Sequence, residues 1–554
     1  PAVTVSYGSH TDNFYSIHSA FDYASNIKNT VITLLKDQTG LERSIVFANT
    51  VSSKNTCTLY LNGHLISGNA TKLLTIQGYD GLTFTITDNS VVGTGKIEMI
   101  GSANARIYAV YLTNGHLIIN NGASIYAENT MEYNSSTAKS TTSAGIYVTA
   151  GKKLTVNNAN IEAKATYYPI GIHVPGSASA SSTVSFSNGT ITAQSTQVSN
   201  AYGLLLEGGT TTISGGTINA TSKTKTAIGI YVNANTGDFV TDPFGDYLYL
   251  EYLATDAIGV YVNGVYVSRN TKPNTFSANY KGVANISDGT FNVITSGTTT
   301  AYGVQSRGTT TIANATFNVT PKTSTGTGLF VQDGTTTINS GTFNVNATAT
   351  AKGIYANGAT PEDKTGRPYN PVVIVKGGTF TVNATTSTPA HGVYIDCNKR
   401  EITSTASGYY AGVYTSIPNV TIEGGTFTVK SQTKEAWGAY VARNYRFETG
   451  TNTIAEWYRP TLTIKGGTFD VSTGTGATAE GIRSYGNTTV SGSPTFDIHP
   501  ATTSAFGLRI YDGKTTINGT PTFTVKAGST MAYGAYVYGD TPGTKTGLPT
   551  NGEL

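Results

Sequence analysis

Across the C-terminal half of the chain, short runs of β-branched residues alternate with polar turns, and one order of runs keeps returning. The stretch "GTTTINSGTFNVNATATAKGIYANG" at 334–358 shows the unit. Thr335-Thr336-Thr337-Ile338 comes first, then a polar Gly turn, then Phe343-Asn344-Val345 with apolar and polar positions alternating. A loop leads to A-x-G and a third run. Period-two alternation over a few residues, bounded by Gly, Asn and Ser, predicts strands with one buried face.

Phenylalanines after a small "GT" or "PT" turn mark the repeat: Phe291, Phe317, Phe343, Phe380, Phe427, Phe469, Phe496 and Phe523, spaced 26, 26, 37, 47, 42, 27 and 27 residues apart. The base period is therefore 26–27 residues, and three units carry insertions. Earlier units place Ile191 and Ile218 in that slot, with weaker copies at Ile161 and Ile125, so the pattern decays towards the N-terminus. The third run recurs as Ala227-Ile228-Gly229, Ala301-Tyr302-Gly303, Ala351-Lys352-Gly353, Ala436-Trp437-Gly438, Ala505-Phe506-Gly507 and Ala532-Tyr533-Gly534. Its middle residue varies among Lys, Trp, Glu and His, which predicts that it faces water. Its Gly marks a corner where a side chain would collide or φ must be positive.

Three strands per period, each too short to bury a face alone, are satisfied if periods stack in register. The predicted fold is all-β, a parallel β-helix of about three strands per 26–27-residue coil. Its core would be columns of like residues: the Phe column; Ile213, Ile312, Ile338, Ile422, Ile464 and Ile517; and Ile230, Val304, Leu329, Ile354, Val393, Ile482 and Leu508. At the start, Phe14, Ile17, Ala20 and Phe21 are spaced like one face of a short helix, followed by the strand "VITLLKD" at 31–37. Residues 1–50 are read as an N-terminal cap that blunts the first coil, and 51–554 as continuous solenoid.

"NFYSIHSAFDYASN", "VITLLKD", "LYLNGHLISG" and the "GGTF" coils at 377–380, 424–427 and 466–469 resemble bacterial cell-surface proteins built on the pectate-lyase-like right-handed β-helix. The resemblance implies a right-handed coil and a surface location. Its families include polysaccharide lyases, adhesins and structural surface proteins.

Composition agrees with an exported β-protein: 554 residues contain 63 Gly and only 12% charged residues. The net charge of +3 comes without a basic run, which argues against nucleic acid or anionic lipid as partner. No 18 apolar residues run together, so membrane insertion is not expected, and the opening at Pro1 reads as a processed form. "LPTNG" at 548–552 differs from the sortase signal LPxTG by Asn551, and "TPGTKTGLPTNG" copies the internal loop "TPEDKTGRPYNP" at 360–371, so it reads as an ordinary loop. After that loop the last coil lacks a cap. Either the native chain continues or another subunit covers the exposed strands.

A lyase would need acidic and basic residues on neighbouring coils. The outward columns carry Thr, Asn, Ser and Gly instead, with isolated Glu423, Lys376 and Lys465. Asp238, Asp242 and Asp246 form the best acidic patch, but four-residue spacing is no recognised Ca²⁺ loop. His64 and His116 share "NGHLI" and read as equivalent turn residues. Cys57 and Cys397, about ten coils apart, are too distant for a disulfide. No catalytic, cofactor or metal site is expected.

Two surface features stand out. Counting two residues past each corner Gly gives Tyr147, Tyr231, Tyr261, Tyr355, Tyr394, Tyr414, Tyr440 and Tyr536, interrupted by Leu205, Gln305, Phe330, Arg483 and Arg509. Such a stripe either stabilises a sheet face or offers an aromatic surface to a glycan or another subunit. Insertions near 234–256, 359–371, 396–410 and 443–459 all follow the third strand and hold Phe239, Phe244, Tyr247, Tyr369, Tyr445, Trp457, Tyr458 and Arg459, residue types that dominate interfaces. These loops, with Tyr231, Tyr355, Tyr394 and Tyr440, are the expected contacts. The expected function is an extracellular structural or adhesive protein that self-associates. A polysaccharide-active protein is the alternative and an ice-binding solenoid a minor one; Thr335/Thr337-type ladders suggest the latter, but Ile374 and Lys514 interrupt them.

Overall fold

A computed structural model describes residues 1–554 except 52–53, 104, 133–141, 176–181, 197–200, 207–208, 223–226, 233–256, 263–282, 296–299, 323, 359–369, 403–411, 448–453, 529 and 539–553. The chain divides into two compact units, Pro1–Tyr261 with Gly282–Asn292, and Val262–Lys281 with Val293–Leu554. Each is an all-β solenoid whose strands return in parallel register, the β-helix arrangement that the repeat predicts.

The first unit begins with an antiparallel hairpin. Val3–Tyr7 pairs with His10–Phe14 on one side and with Thr30–Leu34 on the other; Thr30–Leu34 then pairs in parallel with Asn55–Tyr60. The helix Ile17–Ala24 turns Ile17, Ala20, Phe21 and Ala24 into the core, with the Phe21 ring 6.5 Å from that of Phe84. Phe14, expected on the helix, instead ends the second hairpin strand and packs against Tyr23, ring centroids 5.2 Å apart. The edge is blunted jointly: the hairpin covers one sheet, while buried Ser25, just past the helix, accepts from the Ala48 N–H at 2.9 Å.

Beyond the cap, Ile66, Ile97, Ile125, Ile161, Ile191 and Ile218 stand in register on successive coils. First and second strands run together in Lys153–Ala165, Thr183–Ser195 and Thr210–Ser222. The turn between them shrinks to Asn158 (φ 51°) and Asn188 (φ 59°), left-handed positions that Asn tolerates. His64 and His116 are not equivalent. The shared string turns the chain from Asn55–Tyr60 into Leu65–Gly68 in one place and from Ile107–Leu112 into His116–Asn120 in the other, which are different corners.

In the second unit Phe317, Phe343, Phe380, Phe427, Phe469, Phe496 and Phe523 are in register, neighbouring rings 4.5–4.8 Å apart and nearly parallel. Ring pitch equals the strand spacing of about 4.8 Å, so each ring from Phe343 to Phe496 is covered on both faces by its own kind. Ile312, Ile338, Val375, Ile422, Ile464, Val490 and Ile517 form a second column, and Val304, Leu329, Ile354, Val393, Ala439, Ile482 and Leu508 a third. The corner Gly of the third strand is required by collision. A Cβ on Gly392 would lie 2.5 Å from the Gly438 carbonyl oxygen and 3.0 Å from Val429.

Two insertions fold as antiparallel hairpins, Asn398–Ile402 with Gly412–Ser416 and Asn444–Phe447 with Ile454–Tyr458. The first extends past the boundary expected at 410. Tyr414 therefore sits opposite Arg400 in this hairpin and leaves the stripe to Tyr394 and Tyr440, which pair directly. The insertion at 234–256, all of 359–371 except Asn370 and Pro371, and the "LPTNG" string lie outside the described residues.

Candidate interaction face on the third strands

In the second unit the third strands carry two outward columns. One runs Lys352, His391, Trp437, Glu480, Phe506, Tyr533; the other Tyr355, Tyr394, Tyr440, Arg483, Arg509, Tyr536. The first was expected to face water. Instead His391 is 6%, Trp437 7% and Glu480 0% exposed. The two columns lie against each other, with ring centroids of His391 and Tyr394 4.9 Å apart and of Trp437 and Tyr440 5.1 Å apart. Alternation says which way a side chain leaves the sheet; the neighbouring column decides whether water reaches it.

The stripe is contiguous from Phe330 to Tyr440: Phe330–Tyr355 4.8 Å, Tyr355–Tyr394 5.1 Å, Tyr394–Tyr440 5.3 Å. Lys352 Nζ lies over Tyr355 at 3.7 Å and Tyr394 at 4.6 Å. Burial pushes its pKa down to about 8, against the pull of Asp396. Burial pushes Asp396 up to about 6, opposed by the Cys397 N–H, Lys352 and Tyr394. His391 is held well below the usual imidazole range by burial, then by Lys352 and Arg483.

After Tyr440, guanidinium groups take over. The Glu480 carboxylate accepts two hydrogen bonds from Arg483 (2.7 and 2.5 Å) and one from Arg509 (2.9 Å). Asp512, whose side chain is 1% exposed, is gripped by Arg459 through two bonds (3.1 and 3.0 Å) and by Arg443 at 2.8 Å. Tyr485 and Tyr511, stacked at 4.7 Å, join the two triads: Arg443 lies 5.3 Å from the Tyr485 ring and Arg509 5.0 Å from Tyr511. Arg483 covers Trp437 at 4.9 Å. Among the described residues, four arginines share these two carboxylates. Trp437 Nε1 and Arg509 Nε are buried donors with no acceptor in reach among the described residues.

Of the expected contacts, Tyr355, Tyr394, Tyr440 and Arg459 belong to this face, and Tyr458 is buried beside Arg459. Tyr445 and Trp457 oppose each other on the second hairpin, and Tyr231 pairs with Leu205; their side chains lie outside the described residues. So do Phe239, Phe244, Tyr247, Tyr369 and the acidic patch at Asp238, Asp242 and Asp246. Sequence reasoning took Arg483 and Arg509 for interruptions and passed over Glu480 and Asp512. Usable signals exist: Glu480 and Arg483 flank a corner Gly, and Asp512 repeats the "DG" turn of Asp333-Gly334.

Elsewhere, a shallow cavity of about 660 Å³ follows the Gly turn, lined by Gly341, Gly378, Gly425 and the threonines beside them. Glu423 pairs with Lys465 at 3.0 Å, so these charges are not isolated. Cys57 and Cys397 are both buried, and no disulfide joins them. Among the described residues no three His, Cys, Asp or Glu are grouped to hold a metal, and no helix is long and apolar enough to cross a membrane. Comparison with protein-family models, curated proteins and solved structures gives no match.

Proposed function

We propose that this chain is an extracellular structural or adhesive surface protein whose copies associate, and that it is not an enzyme. The observation that carries the proposal is the continuous Trp, Tyr and Arg face of the second unit, a composition that concentrates binding energy at protein interfaces. The Thr-, Asn- and Gly-rich coils suit a durable outer scaffold, and the resemblance to bacterial surface β-helices suits the same location.

Electron microscopy of the purified chain at micromolar concentration tests the proposal. Filaments or sheets with a regular repeat are expected. Isolated rods at every concentration and salt condition would remove association from the reading.

A further inference from the structure

We infer that Lys352 captures aldehydes covalently, its Nζ forming a Schiff base that the rings of Tyr355 and Tyr394 hold. The inference goes beyond the association proposed above and does not depend on it. Other lysines of the chain are paired with carboxylates: Lys164 with Glu128 at 2.9 Å, Lys465 with Glu423 at 3.0 Å, Lys96 with Glu98 and Lys152 with Asp80. Lys352 is half-buried, and among the described residues no carboxylate forms an ion pair with it and no acceptor meets its N–H groups. Its Nζ lies instead over two rings, Tyr355 at 3.7 Å and Tyr394 at 4.6 Å, beside the buried imidazole of His391 on the next coil.

An amine taken out of water into such a slot, with nothing to accept from it, favours its neutral form. The titratable groups that face it are Tyr355 in its own strand and Tyr394, His391 and Asp396 on the next coil; the preceding coil offers Thr327 and Phe330. His391 is held neutral, and burial brings Lys352 down to about 8 against the pull of Asp396. A fraction of the amine is therefore free to act as a nucleophile at neutral pH. The rings attract a cation whether it is an ammonium or an iminium, so they favour the product of capture as well as the resting lysine.

The step balances without a cofactor. The Nζ lone pair adds to the carbonyl carbon, the C=O π pair moves to oxygen, and a proton passes from nitrogen to that oxygen. The hydroxyl then leaves with the remaining N–H proton as water and C=N forms, so amine and aldehyde give imine and water. Protonation from solvent makes the iminium that the rings retain.

Benzaldehyde in limiting amount, with cyanoborohydride as the hydride donor that fixes the imine as a secondary amine, tests the site on the full chain, and peptide mass spectrometry maps the products. At pH 7 Lys352 is expected to react about tenfold faster than Lys164 or Lys465. Followed against pH, its rate should rise with a midpoint near 8 and not near the ordinary lysine value of 10.5. Asp396→Asn removes a charge that holds the proton on this amine, so the midpoint should fall further, a shift that a packing role would not produce. Unfolding in urea should bring all lysines to one rate.

Equal reaction of Lys352 and the paired lysines overturns the inference, as does a midpoint near 10.5. Preference for Lys352 that persists in urea belongs to the local sequence and overturns the slot as its cause. An unmoved or raised midpoint in Asp396→Asn overturns the electrostatic setting on which the nucleophile depends.

Discussion

The two units build the same coil from different residues. In the first the core column is isoleucine, and the corner is an Asn at φ 51–59° inside an unbroken 13-residue strand. In the second the column is phenylalanine, and the corner is Gly341, Gly378, Gly425 or Gly467 at φ 98–126°, a backbone region that L side chains rarely adopt. The outer faces differ as well. Tyr111 and Tyr147 in the first unit stack at 4.7 Å with Lys72 over Tyr111, whereas the second unit turns to arginine triads. The parallel ladder sets coil geometry in both units, so the residue type of a column can differ from one unit to the other. The outer face has no such averaging, and single charges there have large consequences.

The largest expected effect sharpens that contrast. Glu480→Ala leaves two partly buried guanidinium groups without their carboxylate and should cost about 3–5 kcal/mol in urea unfolding. Glu98→Ala, which breaks a half-buried pair with Lys96 in the first unit, should cost about 1 kcal/mol or less. Equal losses would erase the distinction between the faces.

Column identity comes next. Phe380→Ala opens a gap between two stacked rings and should cost about 3–5 kcal/mol. Ile161→Phe overpacks an isoleucine column and should cost about 1–3 kcal/mol. Phe186 already stands singly between Val156 and Ile213, and a neutral Ile161→Phe would show that the isoleucine column has the same room.

Gly392→Ala tests the corner. Its Cβ meets the backbone of the next coil, so a loss of about 1–3 kcal/mol is expected; an unchanged midpoint would mean that the stack relaxes freely.

Two aspartates give effects with opposite signs in pH, which vanish in acid. In the first unit Asp88 is buried, which raises its pKa. Bonds from the Gly95 and Gly63 N–H groups and from Ser90 N–H and Oγ outweigh that and hold it below the usual value. Its stabilisation is present above the unfolded value of 3.8 and is lost as pH falls through the lower folded value. Asp88→Asn should therefore destabilise by about 1–3 kcal/mol at neutral pH, with the difference shrinking in acid. Asp396, raised to about 6, stabilises fully below 3.8 and loses that contribution as pH rises through 6. Asp396→Asn should gain about 1–3 kcal/mol above pH 6 and change little near pH 3. Denaturation curves from pH 3 to 8 read both; the same sign for both variants would break the assignment.

Much of the coil was legible. The Phe spacing marked successive turns, and the Phe, Ile and aliphatic columns stand where the repeat puts them because period-two alternation in a parallel ladder leaves one register that buries them. The helix was legible in Ile17, Ala20 and Phe21, but Phe14 shared the periodicity by accident of a hairpin strand ending there. "NGHLI" and Tyr414 misled for one reason: a short string has no address, and the corner it occupies depends on what the chain did before it.

Sequence alone determined the repeat, the parallel stacking and the identity of the core columns, because these follow from periodicity and local burial. Tertiary structure alone decided that His391, Trp437 and Glu480 are covered, that Arg443, Arg459 and Asp512 meet, and that two tyrosines bridge the triads. Those contacts join residues on different coils and insertions, a geometry no spacing rule encodes.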